Sequence, residues 1–207
     1  GMVKEALSAL GRAYRTVRQA KADTDPAVIA ITKDLGCAYL AAGDTERALL
    51  HLRQALKSEI RVHGAVSNAV ASTLNNLGMA MLQAGDAEAC LLRLQQALDM
   101  RLNLLGEKDP RVALTVKSIG AAHLVQGEAE RALKYLRKAL EIESEALVDW
   151  STQLEVANTR FYMAKALERL GEAAQVGGER VELALHRKLM ARGGRHDTTV
   201  GASQSLF

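Results

Sequence analysis

Apolar residues recur over residues 45–61 at i, i+1, i+4, i+7 and i+8, as Ala48, Leu49, Leu52, Ala55 and Leu56. The same five-point pattern returns 84 residues on, as Ala132, Leu133, Leu136, Ala139 and Leu140. That spacing gathers the apolar side chains on one broad face of an α-helix and leaves the intervening charges to the other. The stretches beneath it, GDTERALLHLRQAL (43–56) and GEAERALKYLRKAL (127–140), share nine of fourteen letters. Midway stands GDAEACLLRLQQAL (85–98), also with nine letters in common with the first. The chain therefore repeats every 42 residues, and a period of that length means stacked supersecondary units.

A second helix precedes each of these. The sequences LGCAY (35–39), LGMAM (77–81) and IGAAH (119–123) keep the 42-residue step, and a degenerate MAKAL (163–167) follows 44 residues later. Each leads to a glycine-acid pair: Gly43-Asp44, Gly85-Asp86, Gly127-Glu128 and Gly171-Glu172. The glycine suits the left-handed end of one helix, and the acid suits the positive N-terminus of the next. Asp25-Pro26 and Asp109-Pro110 read as cap and first helical residue, with Ser67-Asn68 in the intermediate slot. Each repeat thus contains a helix A (roughly 27–41, 69–83, 111–125 and 155–169) and a helix B (roughly 45–61, 87–103, 129–145 and 179–191). Gly36 against Ala48, Gly78 against Cys90 and Gly120 against Ala132 are expected to let A and B cross closely. A hairpin this small cannot bury its own apolar face, so neighbours must stack.

The order L-G-x-x-Y, then G-x-x-x-x-A, then A-L resembles the tetratricopeptide repeat, whose common unit is about 34 residues. The longer 42-residue unit, the segment LLGEKDPRVALT (104–115) and the helix A sequence TLNNLG (73–78) are similar to the kinesin-light-chain-type subfamily. The likeness runs from about residue 4 to about residue 190. It implies an all-α, right-handed superhelical solenoid of antiparallel helix pairs. One solenoid is expected over 1–192, with repeats at about 26–67, 68–109, 110–152 and 153–192, and a flexible tail at 193–207. Residues 3–20 read as an orphan helix B, because Ala6, Leu10 and Ala13 are in phase with Ala48, Leu52 and Ala55. Its seam of Ala6, Leu7, Leu10 and Tyr14 is expected to lie uncovered, which favours self-association through the N-terminal helix. Gly177-Gly178 interrupts the last helix B, and Gly1-Met2 reads as a cleavage remnant of something longer.

Composition narrows the function. Of 207 residues 48% are apolar and 3% aromatic, and no run approaches the ~18 apolar residues of a membrane span. The formal charge is +3 with interspersed signs, so neither nucleic acid nor a membrane is expected as a partner. The basic stripe Arg12, Arg15, Arg18 and Lys21 has no interleaved aromatics and reads as a solvated face. With two cysteines and no secretory leader evident, a reducing, cytoplasmic setting is expected.

Catalysis has no constellation behind it, since phosphate-binding glycine loops, nucleophile elbows and H-E-x-x-H or C-x-x-C pairs are all lacking. The five histidines never fall three or four apart on one helix, so neither a metal nor any other cofactor is expected. His123 takes the slot of Tyr39 and reads as a packed core residue, and Cys90 replaces Ala48 as a small buried hydrophobe. Cys37 follows Lys33 by one turn, which would favour a thiolate, though a packing cysteine is the plainer reading. The closing Ser205-Leu206-Phe207 is weakly similar to a PDZ-domain ligand.

The resemblance implies that the A helices line a concave groove, with residues of equal phase in rows. One row is Lys33, Asn75, Lys117 and Phe161; the next is Asp34, Asn76, Ser118 and Tyr162. Beyond these lie Cys37, Met79, Ala121 and Lys165, then Leu40, Leu82, Leu124 and Glu168. Side-chain amides can bond a peptide backbone, cations can hold acids, and Met or Leu can accept an apolar anchor. The expected ligand is therefore an extended, acidic peptide with an apolar anchor, bound by Lys33, Cys37, Asn75, Asn76, Met79, Lys117, Phe161, Tyr162 and Lys165. Asn75-Asn76 matches the groove asparagines of the kinesin-light-chain type in the second repeat only. The carboxylate clamp of chaperone-binding relatives fits worse, because Cys37, Leu114 and Ser118 stand where its polar residues should be. The alternative is a structural, self-associating scaffold segment without a dedicated ligand.

Overall fold

The computed structural model describes residues 2–145 and 150–170, with the side chains of 150–152 left aside. Among the described residues there are eight α-helices and no strand: α1 Met2–Ala20, α2 Pro26–Ala41, α3 Thr45–His63, α4 Asn68–Gln83, α5 Ala87–Leu105, α6 Pro110–Val125, α7 Ala129–Glu145 and α8 Trp150–Arg169. The expected fourth helix B, Gly177-Gly178, the tail and Ser205-Leu206-Phe207 lie outside the described residues.

The punctuation acts as its chemistry dictates. Asp25 accepts from the Ala27 N–H, Ser67 from Val70 and Asp109 from Arg111, at 2.9, 3.2 and 2.9 Å. Gly43, Gly85 and Gly127 have φ of 78°, 84° and 82°, the left-handed conformation that ends α2, α4 and α6. At the first of these the Gly43 N–H bonds Leu40 O and the Asp44 N–H bonds Tyr39 O, closing the helix. Asp44 then caps α3 by accepting from the Arg47 N–H at 3.1 Å. One boundary differs from expectation, since α8 begins at Trp150 rather than near 155. At the place of the Asp-Pro starts stand Gln153-Leu154, which neither cap nor interrupt a helix.

Two compact units divide between Met100 and Arg101, within α5. In the first, α1 packs on α2, α2 on α3 and α3 on α4, while α2 also touches α4. In the second, α6, α7 and α8 all pack on one another. A Cβ on Gly36 would stand 2.7 Å from Leu52 Cγ, on Gly78 3.0 Å from Leu94 Cγ, and on Gly120 2.8 Å from Leu136 Cγ. The close approach is as expected, but its partner is the leucine one turn beyond the small residue. Cys90 and Ala132 contribute carbonyl oxygens, 3.2 and 3.3 Å from those Cβ positions of Gly78 and Gly120.

Helix α1 contains no buried residue. Leu7, Leu10 and Tyr14 are half-buried and Ala6 is exposed. Tyr14 departs from the expected open seam: its hydroxyl accepts from Gln54 Nε2 at 3.3 Å, and its ring meets that of His51 edge-on. The basic stripe is tied down locally, with Arg18 on Tyr14 and Asp23 and Lys21 on Asp25. No helix among the described residues is long and apolar enough to cross a membrane.

Candidate functional site

The open face of the A helices is where a partner could sit. Helix α2 buries Val28, Ile29, Thr32, Leu35, Gly36 and Leu40. That leaves Ala30, Asp34, Cys37 and Ala41 along the other side, exposed or half-buried. Their spacing of i, i+4, i+7 and i+11 forms one helical stripe. Helix α4 is covered over most of its surface, and Ser72 and Asn76 remain half open in its middle. The two stripes meet where Asn76 Nδ2 donates to Cys37 Sγ at 3.2 Å.

Not every expected groove residue reaches this face. Lys33 turns its ammonium to α3, where Nζ lies 3.2 Å from Glu59 Oε1. Asn75 and Met79 are buried, each 4% exposed, and the Asn75 Oδ1 has no hydrogen-bond partner. Lys117, also buried, lies 3.1 Å from Glu143 Oε1 and pairs with Glu155 as well. Ser118 folds back onto Leu114 O at 3.0 Å. Phe161, Tyr162 and Lys165 do gather on α8: the two rings meet edge-on at 5.7 Å, and Lys165 Nζ stands 4.7 Å over the Phe161 ring. Tyr162 also packs on the core of α6–α8, and burial raises its hydroxyl pKa.

The thiols are the reverse of activated. Burial, and then the Asp34 carboxylate, push Cys37 up to about 11 against the opposing pull of Lys33. The thiolate alternative gains no support from this, and the plainer reading of a packing cysteine agrees with it: the neighbouring ammonium is shared with Glu59 and is outweighed by burial. Cys90 is fully buried and pushed up to about 12, the inert packing cysteine expected. His123 is likewise a core residue at 8% exposed, stacked on Tyr135.

The residues that sequence reasoning missed are the buried glutamates. Glu59 and Glu143 are 1% and 3% exposed, and each follows its lysine by 26 residues. A signal was present. Glu59 continues the apolar stripe of Leu52 and Ala55, and Glu143 continues that of Leu136 and Ala139. A charge on the buried face calls for a partner. In the middle repeat the same phase is held by Arg101, which donates to Thr115 Oγ1 at 2.6 Å and to Arg111 O at 2.7 Å.

These features define an all-α protein of repeated helical hairpins, each closed by a glycine and a small-residue crossing. The chain belongs to the tetratricopeptide-repeat family, whose profile it matches over residues 1–58 and 61–145. Members of that family serve generally as non-catalytic protein–protein interaction or scaffold modules. No curated protein matches the chain. Among solved structures it is similar to BtubC (BKLC) from P. vanneervenii, 21% identical, with 100% of this chain and 80% of that one covered and a TM-score of 0.68. A Podosopora anserina kinesin-light-chain-type protein of nearly identical TPR-like repeats is 18% identical over 94% of this chain and 89% of its own, with a TM-score of 0.64. Aspartyl phosphate phosphatase F from Bacillus subtilis is 19% identical over 90% of this chain, with a TM-score of 0.67, and only 45% of its length is spanned. At these identities the likeness is one of fold.

Proposed function

We propose that the chain is an interaction module that holds an extended segment of a partner protein along its A helices. The observation that carries this reading is the junction of Cys37 with Asn76, which joins the open stripes of α2 and α4 into one surface. Small side chains at Ala30 and Ala41 let a backbone approach, and Ser72 and Asn76 offer it donors and acceptors. In the second unit, the rings of Phe161 and Tyr162 with Lys165 beside them offer an amphipathic patch. The two free cysteines suit a reducing compartment such as the cytoplasm. A peptide-display selection on the parent protein tests the reading. Selected peptides should bind the Asn76→Ala variant more weakly by about 1 kcal/mol or more, and a Lys57→Ala change on helix B should leave them unaffected. Binders indifferent to Asn76, or no binders, would refute groove binding.

The scaffold reading has its own support. Helix α6 is buried from Val112 to Leu124 except at Leu114, which leaves little of it open. Meanwhile Leu50 and Leu92, in equal phase on α3 and α5, are 63% and 57% exposed. Self-association that persists in α1 variants such as Leu7→Glu, and is abolished by Leu50→Glu with Leu92→Glu, would favour it.

A further inference from the structure

The open face of the first unit has a sign. Its lysine is neutralised internally, since Lys33 Nζ lies against Glu59, which is 1% exposed. Asp34 is exposed, and it makes no ion pair or hydrogen bond among the described residues. The rest of the strip is neutral: Ala30, Cys37, Ala41, Ser72 and Asn76. The fixed charge left open is therefore one carboxylate, flanked by small side chains. An acidic ligand would face Asp34 directly. Lys33 offers an acidic ligand little in return, because its charge is already balanced by Glu59 and only part of its side chain is open. A lysine or arginine has no such conflict, because its ammonium or guanidinium can reach Asp34 while its aliphatic stem lies on Ala30 and Cys37.

The geometry points to a partner segment that carries a lysine or arginine beside small or apolar residues, its cation set on Asp34 and its backbone along Cys37 and Asn76, with acidic segments excluded. This rests on the groove-binding reading above and reverses the ligand charge expected from the sequence. The lysines that suggested an acidic ligand serve the interior instead. Lys117, held between Glu143 and Glu155 in the second unit, has the same internal use.

Three nonapeptide pools test it on the full chain. Their central positions are degenerate over Ala, Leu, Met and Ser, and the two flanking positions are fixed as Lys, Ser or Glu. By fluorescence anisotropy the Lys pool should bind the parent about five-fold or more tighter than the Glu pool, with the gap shrinking as salt rises. Asp34→Lys, a surface change, should reverse that order. Glu59→Gln, which releases Lys33, should raise affinity for the Glu pool; should that variant not fold, Asp34→Lys alone decides. A Glu pool that binds the parent as well as the Lys pool overturns the inference and leaves groove binding standing. So does a Lys preference that Asp34→Lys does not alter. Failure of all three pools overturns both.

Discussion

Tyr39 and His51 stack with ring centroids 5.4 Å apart and planes 8° apart. The same two positions 84 residues on carry His123 and Tyr135, in exchanged order, at 5.3 Å and 16°. What recurs is a pair of flat rings across the A–B hairpin, not a residue on a given helix. The surroundings follow the exchange. The Arg47 guanidinium lies 4.7 Å over the Tyr39 ring, a cation on a π face. Glu128 instead sends Oε2 to 2.7 Å from His123 Nδ1. It holds the slot of Asp44 and is one methylene longer, so it reaches the ring while also holding Arg131, as Asp44 holds Arg47.

Exchanging the first pair should therefore be tolerated. Tyr39→His alone or His51→Tyr alone should each cost about 0.5–1.5 kcal/mol in urea unfolding, the worth of an aromatic pair. The double variant should recover at least half of the summed loss, a favourable coupling in a double-mutant cycle. Additive losses would mean that the rings do not act as a pair.

The stack also sets a pH dependence. Burial, and then the Arg47 charge, hold the His51 pKa below its ordinary 6.5, and its Nδ1 is buried without a partner. The unfolded chain takes up the proton near 6.5 while the folded chain resists it. Stability from this site is thus whole above 6.5 and is lost as the pH falls through the lowered folded value. Between pH 7.5 and 5 the denaturation midpoint of the parent should fall further than that of His51→Phe. Parallel curves would place the pH dependence elsewhere.

The fold was legible because its determinants are local. Glycines 43, 85 and 127, the caps Asp25, Ser67 and Asp109, and the apolar stripe each act within a few residues of themselves. The polarity of the open face was not legible in the same way. Periodicity fixes the angle at which Lys33 leaves α2, but a four-carbon stem can turn to the groove or to the next helix. Glu59, 26 residues on, decides which. Reading a groove from helix phase alone assigned Asn75, Met79 and Lys117 to a surface, whereas neighbouring side chains bury them.

The crossings give a pair of glycine predictions of opposite sign. Gly36→Ala would bring a Cβ to 2.7 Å from Leu52 Cγ and 3.3 Å from its backbone nitrogen, so the hairpin must open slightly. A loss of about 1–3 kcal/mol is expected in thermal melts. Gly11 in α1 has nothing within 4 Å of such a Cβ, and Gly11→Ala should stabilise by about 0.5–1 kcal/mol through helix propensity. A Gly36→Ala variant that melts with the parent would mean that the crossing is looser than described.

Glu143 and Arg101 are two different kinds of buried charge. Glu143 is compensated, with Lys117 Nζ at 3.1 Å and the Thr159 hydroxyl donating to it at 2.7 Å. Removing its charge as Glu143→Gln leaves Lys117 paired with Glu155, and a cost of about 1–3 kcal/mol is expected for the lost charged hydrogen bond. Arg101 is buried as deeply, at 2% exposed, yet its donors meet a hydroxyl and a carbonyl, and its Nε has no partner. Burial, and then Arg111, push its pKa down to about 10, the mark of a cation that its site does not welcome. Arg101→Met keeps the volume and removes the charge, so it should stay within about 1 kcal/mol of the parent or exceed it. Urea unfolding of the two variants beside the parent decides the matter. If Arg101→Met loses as much as Glu143→Gln, the guanidinium holds the middle repeat together through Thr115 and Arg111, and the view of it as a tolerated burial is wrong.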